Sequence, residues 1–164
     1  KPRGIISTAS DPEGRKTVVD LINAPQRIYP VGRLDLDAEG LLLLTNDGEF
    51  ANILTHPRYE TTKTYHVTLS KPLIPADLNR LKHIRIDGRT VDIRNARTLG
   101  HREAELTIHE GRKHIVKKLF SALSYRVTRL QRVAIGHLTI GNLKPGRWRR
   151  LTDDEVQKLR RKEV

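Results

Sequence analysis

Gly32-Arg33-Leu34-Asp35-Leu36-Asp37-Ala38-Glu39-Gly40-Leu41-Leu42-Leu43-Leu44-Thr45-Asn46-Asp47-Gly48 is the stretch on which the reading of this chain turns. Its second half is a run of four leucines that stops at an Asn-Asp-Gly turn signal, which reads as a buried strand running into a turn. Its first half is an acidic loop, bracketed by Gly32 and Gly40, where the backbone is free to turn sharply. The loop presents carboxylates at i, i+2 and i+4 (Asp35, Asp37, Glu39) beside Arg33. A carboxylate in that setting suits a nucleophile, a general base or a Mg²⁺ ligand, and the spacing leaves these open alongside a plain solvated acidic loop.

Outward from this stretch the element types alternate. Ile5-Ile6-Ser7-Thr8 is a short apolar run before the loop Asp11-Pro12-Glu13-Gly14. Thr17–Ile22 reads as a short helix capped by Thr17, and Arg27–Val31 as a strand. Glu49–Thr55 reads as a helix closed by His56-Pro57. Lys63–Leu69 is rich in β-formers, and Pro75–His83 is a short helix with Leu78 and Leu81 on one face. Residues 84–108 give several short strands around Asp87-Gly88 and Leu99-Gly100. Lys113–Leu123 is the strongest helix, with Ile115, Val116, Leu119, Phe120 and Leu123 as its apolar stripe. Lys117 and Lys118 fall roughly 130° to either side of that stripe, free to reach a ligand. Val127–Leu151 returns to short strands, and Asp153 opens a polar helix over 154–162. Strands this closely spaced do not make regular βαβ units. The expected fold is α+β, a mixed and mainly antiparallel sheet flanked by helices.

The chain has 164 residues, enough for one domain with a real core. It carries 31 Lys+Arg against 19 Asp+Glu, a formal +12. The imbalance is concentrated: between Glu110 and Asp153 there is no acidic residue, while that stretch holds 11 Lys+Arg. A polyanionic partner follows, nucleic acid first among them. There is no cysteine, so no disulfide framework, thiolate nucleophile or thiolate metal site. No apolar run is long enough to span a membrane as a helix. The seven histidines form no metal-ligand spacing, and no metal site is expected.

Two further clusters bear on chemistry. Lys63 and Tyr65 share one face of a strand, where an aromatic ring can stack on a base and a cation can hold a phosphate; a strand tyrosine half in the core reads the same way. Glu110-Gly111-Arg112-Lys113-His114 leads into the strongest helix and offers cations and free N–H groups to phosphates.

Together these residues resemble the RsuA/RluB/RluE/RluF family of ribosomal RNA pseudouridine synthases. Gly32–Asp35 with Glu39–Gly48 is similar to the family's G-R-L-D-x-x-[ST]-x-G-L-L-x-L-T-N-D-G signature. Lys1-Pro2-Arg3-Gly4, Lys63-Thr64-Tyr65, Glu110-Gly111-Arg112 and Leu130-x-Arg132-x-x-Ile135-Gly136, with Leu138, Gly146 and Leu151, resemble its other elements in order. Pro25–Pro30 and Glu49–Asn52 look most like the RluB branch, which acts on large-subunit rRNA. The resemblance implies the pseudouridine synthase catalytic fold and conversion of a uridine to pseudouridine without metal or cofactor. By position Asp35 is the nucleophile, attacking C1′ of the ribose or C6 of the base. Tyr65 stacks on the base, Lys117 replaces an arginine that pairs with the aspartate, and Leu138 lines the base pocket. Arg33, Lys63, Arg112, Lys113 and Arg132 are the expected RNA-binding side chains.

The resemblance further implies one catalytic domain over 1–164, with subdomains over about 1–61 and 62–164. The chain is expected to be a cytoplasmic monomer. The family's N-terminal S4 RNA-binding domain has no counterpart ahead of Lys1, which suggests a piece of a longer protein. Departures from the pattern are Ala38 for Ser or Thr, Lys117 for Arg, and Lys113-His114-Ile115 for Asn-Arg-Gln. Two other functions fit parts of the sequence. A non-catalytic rRNA-binding or assembly module explains the charge but leaves 32–48 without a purpose. A Mg²⁺-dependent nuclease on Asp35, Asp37 and Glu39 would ask one short loop to supply a whole metal site.

Overall fold

The computed structural model describes residues 1–161. The acidic loop sits among three strands of two residues each: β1 (Tyr29–Pro30), β2 (Glu39–Gly40) and β3 (Leu44–Thr45). Helix α1 (Gly48–Thr55) follows, its first turn closed by Asp47, whose carboxylate accepts from the Phe50 amide at 3.0 Å. Then come β4 (Lys63–Leu69), α2 (Pro75–Leu81), β5 (Arg85–Ile86), β6 (Arg89–Thr90), β7 (Ile93–Gly100) and β8 (Glu103–Ile108). Helix α3 (Ile115–Ala122), β9 (Val127–Ile135), β10 (Leu138–Thr139) and α4 (Asp153–Arg160) complete the order.

Strand β4 lies at the centre of the main sheet, antiparallel to β8 on one edge and β9 on the other. β7 extends the sheet beyond β8, while β2 and β10 both pair with β9, β2 in parallel and β10 antiparallel. The fold is α+β on a mixed, mainly antiparallel sheet, as the spacing predicts. The alternation along β4 buries Tyr65, Val67 and Leu69 on one face and leaves His66 and Thr68 half-exposed on the other. That buried face meets the apolar stripe of α3 in a large core with Leu106, Ile108, Leu119 and Phe120. Burying each such side chain contributes about 1.5–3 kcal/mol. A second core joins Val31, Leu41, Leu43, Phe50 and Leu54 to Ile135, Leu138 and Leu159. It packs the region around the acidic loop onto the end of the chain, across residue 61.

The structure departs from the sequence reading where tertiary partners override local pattern. Leu41–Leu44 is not one strand. The Leu41 amide donates to Arg132 O at 2.7 Å and Leu43 O accepts from the Val31 amide at 2.8 Å, so the run bends between two partners. Thr17 caps no helix: Asp20 accepts from the Thr17 amide and hydroxyl instead, ahead of a single 3₁₀ turn over Val19–Leu21. Helix α3 starts at Ile115, two residues later than expected, because His114 is left-handed (φ 56°) and cannot belong to the helix. Thr152, not Asp153, caps α4, in a reciprocal capping box with Glu155. Residue 162, the end expected for that helix, lies outside the described residues.

Gly40 is the tightest point of the fold. Its φ is +121°, and a Cβ there would lie 2.5 Å from the Arg132 amide nitrogen. Backbone cannot give way as a flexible side chain would. Gly40→Ala is therefore expected to destabilise the chain by about 3 kcal/mol or more, read as a lowered urea midpoint with an unchanged slope.

Candidate active site

The acidic loop is held from both sides. The Asp35 carbonyl closes a tight turn by accepting from the Ala38 amide at 3.0 Å. The Lys1 ammonium caps the same turn, donating to Asp35 O at 3.0 Å and Ala38 O at 2.6 Å. Buried Ser7 bonds both the carbonyl and the amide of Leu34. On the opposite side the Arg132 Nε donates to Leu41 O at 2.9 Å. The backbone on either side of Asp35 is thus fixed before any ligand arrives.

The loop forms one wall of a cavity of about 300 Å³. Arg33, Leu34, Asp35 and Ala38 face it from the loop, Lys63 and Tyr65 from β4, residues 111–116 from the entry to α3, and Leu130, Arg132 and Ile135 from β9. Seven of the nine expected site residues therefore converge on it: Asp35, Tyr65, Arg33, Lys63, Arg112, Lys113 and Arg132. Lys117 reaches Asp35 from the first turn of α3.

Asp35 sits between two nitrogens. Lys117 Nζ is 3.3 Å from Oδ2, and His114 Nε2 is 3.2 Å from Oδ1. Lys117 also donates to Asp37 at 2.6 Å. The hydrogen bond from Lys117 draws the Asp37 carboxyl below the usual range, against the opposing effect of burial. Burial acts to lower the Lys117 pKa, but its bonds to Asp37 and Asp35 and their charges outweigh it, so the net shift is upward. Lys117 is therefore a fixed cation beside Asp35, and its expected freedom to reach a ligand is corrected. Lys118 is likewise paired, with Asp87 at 3.1 Å.

Four of the cavity's other cations, Arg132, Lys63, Arg33 and Lys113, have no carboxylate partner among the described residues. Arg132 is only 3% exposed, and its Nη2 has no hydrogen-bond partner among the described residues. Partly buried Lys63 donates only to Thr61 O, at 3.1 Å. Burial, reinforced by the Arg132 charge, lowers its pKa to about 8. Tyr65 is buried across the strand pair from Arg132, and its hydroxyl has no partner among the described residues. Arg33 and Lys113 are exposed at the cavity wall and unpaired among the described residues.

Two expectations need correction. The Arg112 guanidinium is already engaged, by Glu110 and by the Ile86 and Thr90 carbonyls. It ties the β5–β6 hairpin to the entry of α3 rather than standing free for phosphate. Leu138 does not line this cavity; it packs with Leu41 and Leu43 in the second core, and Leu130 and Ile135 supply the apolar wall. Sequence reasoning passed over two residues. His114 reaches Asp35 only through its left-handed backbone, which periodicity does not reveal. Lys1 was visible only as part of a terminal motif.

A family model described as RNA pseudouridylate synthase matches residues 1–122, three quarters of the chain. The chain belongs to the RNA pseudouridylate synthase family. The ribosomal large subunit pseudouridine synthase B of Bacillus subtilis is 47% identical, over 98% of this chain and 69% of its own length. The ribosomal small subunit pseudouridine synthase A of Salmonella typhimurium is 36% identical, over 95% of this chain and 70% of its own. A crystal structure of a pseudouridylate synthase superimposes with a TM-score of 0.86 at 34% identity, over 97% of this chain and 70% of that one. The match to the family model ends with the last residue of α3, while the longer similarities extend over β9.

Lys63 gives this cavity a pH signature. Its folded pKa, about 8, lies below the usual lysine value of 10.5. The folded state therefore carries the buried charge below pH 8 and sheds it above, so stability gains between pH 8 and 10.5. If the cation serves the reaction, kcat/KM falls over the same window, opposite to stability. Lys63→Met is expected to flatten the alkaline limb of kcat/KM and to reduce the stability gain, measured by urea unfolding at pH 7 and 10.

Proposed function

We propose that the chain isomerises a uridine of ribosomal RNA to pseudouridine, with Asp35 as the nucleophile. The observation that carries this is Asp35 itself: a carboxylate facing a cavity, flanked by Lys117 and His114, with Tyr65 on the adjoining wall. The family membership supports the reaction, and the names of the relatives support an rRNA substrate. The relative at 47% identity is named for the large subunit, which favours large-subunit rRNA. Such a substrate favours a cytoplasmic location. Among the described residues no helix is long and apolar enough to cross a membrane.

The cavity walls suggest how the steps divide. A uridine in folded RNA must leave its stack to enter, at a cost of a few kcal/mol, offset by stacking and phosphate contacts. Tyr65 offers the stacking surface, while Arg33 and Lys113 meet the backbone phosphates at the mouth. Asp35 then forms a covalent bond with the nucleotide, at C1′ or C6, and the N1–C1′ bond breaks with its electron pair moving into the uracil ring. That charge develops beside Lys63 and Arg132, two cations without carboxylate partners and already in place, which is where electrostatic preorganisation is most effective. The base rotates, C5 bonds to C1′, the bond to Asp35 breaks with its electron pair returning to the carboxylate, the C5 proton leaves with the Tyr65 hydroxyl within reach as a relay, and N1 takes a proton. Atoms are conserved, as an isomerisation requires.

Asp35→Asn keeps the side-chain shape and removes the nucleophile. It is expected to fold and bind RNA as the parent does while forming no pseudouridine. Pseudouridine mapping of rRNA from cells with the parent, the variant or neither is the measurement. A pseudouridine restored by the variant would overturn the role of Asp35, and an unchanged map without the protein would favour a non-catalytic assembly role.

A further inference from the structure

The cavity at Asp35 has a larger neighbour. A groove of about 370 Å³ shares Leu43 with it and is floored by Leu41, Phe50, Leu138 and Ile140. Its rim carries the loop from Lys144 to Leu151. The groove plays no part in the chemistry at Asp35, yet its construction is specific. Two tight turns shape its rim, closed by Leu143 N to Ile140 O at 3.2 Å and Arg147 N to Lys144 O at 3.0 Å. Arg149 then anchors the loop through two bonds to Glu155, at 2.8 and 2.7 Å, and Glu155 is itself locked in the capping box of α4.

Between these two fixed points stands Trp148, 45% exposed. Nearly half of this residue is open to water beside an apolar groove, where it can meet a ligand. Its neighbours Arg147 and Arg150, with Lys144, pair with no carboxylate among the described residues, unlike Arg149. The acids that border the groove are neutralised: Glu39 pairs with Arg129, and Asp47 pairs with Arg160 while capping α1. The rim is therefore net positive over an apolar floor, with an open indole between cations. Phosphates and bases in alternation match that surface; an aromatic platform among cations is the usual means of holding single-stranded RNA.

We propose that this groove is a second RNA site, which takes unpaired nucleotides flanking the target, one base stacked on Trp148 and phosphates on Lys144, Arg147 and Arg150. The inference rests on the reading that the substrate is RNA. It gives the acid-free stretch a binding role separate from catalysis at Asp35, and the shared Leu43 wall puts the two sites side by side.

Trp148 is the chain's one tryptophan, so its fluorescence reports on this groove alone. A dye-labelled oligouridylate of about ten nucleotides is titrated into the intact protein while RNA anisotropy and indole emission are followed together. The indole is expected to quench along the anisotropy curve. Trp148→Ala is expected to weaken binding about 5- to 150-fold, the range typical of a lost base–aromatic stack. Arg147→Gln keeps the indole and is expected to lower the slope of log K against log salt by about 0.7. Anisotropy that saturates with the emission unchanged, or variants that bind like the parent, would overturn the second site. So would equal quenching by polyglutamate, which would mark a site for acidic protein. Pseudouridine formation by the same parent sample is scored separately, so an active enzyme with a silent indole sinks this inference and leaves the catalytic reading standing.

Discussion

The close approach of Gly40 to the backbone of Arg132 is the constraint on which the site depends. The acidic loop comes from the nearly neutral first half of the chain, while its cationic surroundings come from the second. Loop and strand meet because Gly40 has no side chain, allowing β2 to lie against β9 in parallel and Leu41 to exchange hydrogen bonds with Arg132. Once that contact forms, the two-residue spacing along β9 brings Leu130 and Arg132 to the cavity, and the antiparallel register of β4 sets Tyr65 opposite Arg132. One steric allowance thus joins carboxylate, aromatic ring and cation in a single cavity.

The charges around the loop fall into two kinds. Lys117 and His114 contact Asp35 directly and hold its carboxylate in place. Lys63 and Arg132 contact no carboxylate among the described residues, although both are withdrawn from water. A buried cation without a partner is unfavourable in the resting protein, so its presence is better explained by an anionic group that arrives or develops there. The depressed pKa of Lys63 expresses the same unfavourable burial. Stability given up at this point is what a site preorganised for charge development would show.

Much of this was legible in the sequence because it depended on local pattern. The β-formers of 63–69 give β4 with its bounds, the apolar stripe gives α3 apart from its first turn, and the Asp47 turn gives the start of α1. The convergence on Asp35 was legible through the motif. What escaped depended on partners distant in sequence. Leu41–Leu44 has the composition of a strand, but its hydrogen bonds go to Val31 and Arg132 in different directions. Arg112 reads as a phosphate ligand until the β5–β6 hairpin supplies carbonyls for it. Leu138 is apolar and correctly buried, but burial alone does not say into which of two adjoining cores. His114 required a backbone conformation that costs roughly 1–3 kcal/mol, a price no propensity would forecast.

The acid-free stretch from Gly111 to Thr152 now divides by use rather than by position. Some of its cations borrow acids from outside it: Arg112 from Glu110, Arg129 from Glu39, Arg149 from Glu155. These are structural ties, and they explain why a run so basic still folds. Lys117 and Arg132 are drawn into the site, one beside Asp35 and one into the cavity wall. Lys118 pairs with Asp87, while Lys113, Lys144, Arg147 and Arg150 stay exposed and have no carboxylate partner among the described residues. A uniform polyanion-binding face would not sort its charges this way, since exposed cations would serve as well anywhere along it. The sorting matches the proposed RNA substrate, with one group taken deep beside Asp35 and its neighbours held along the rim.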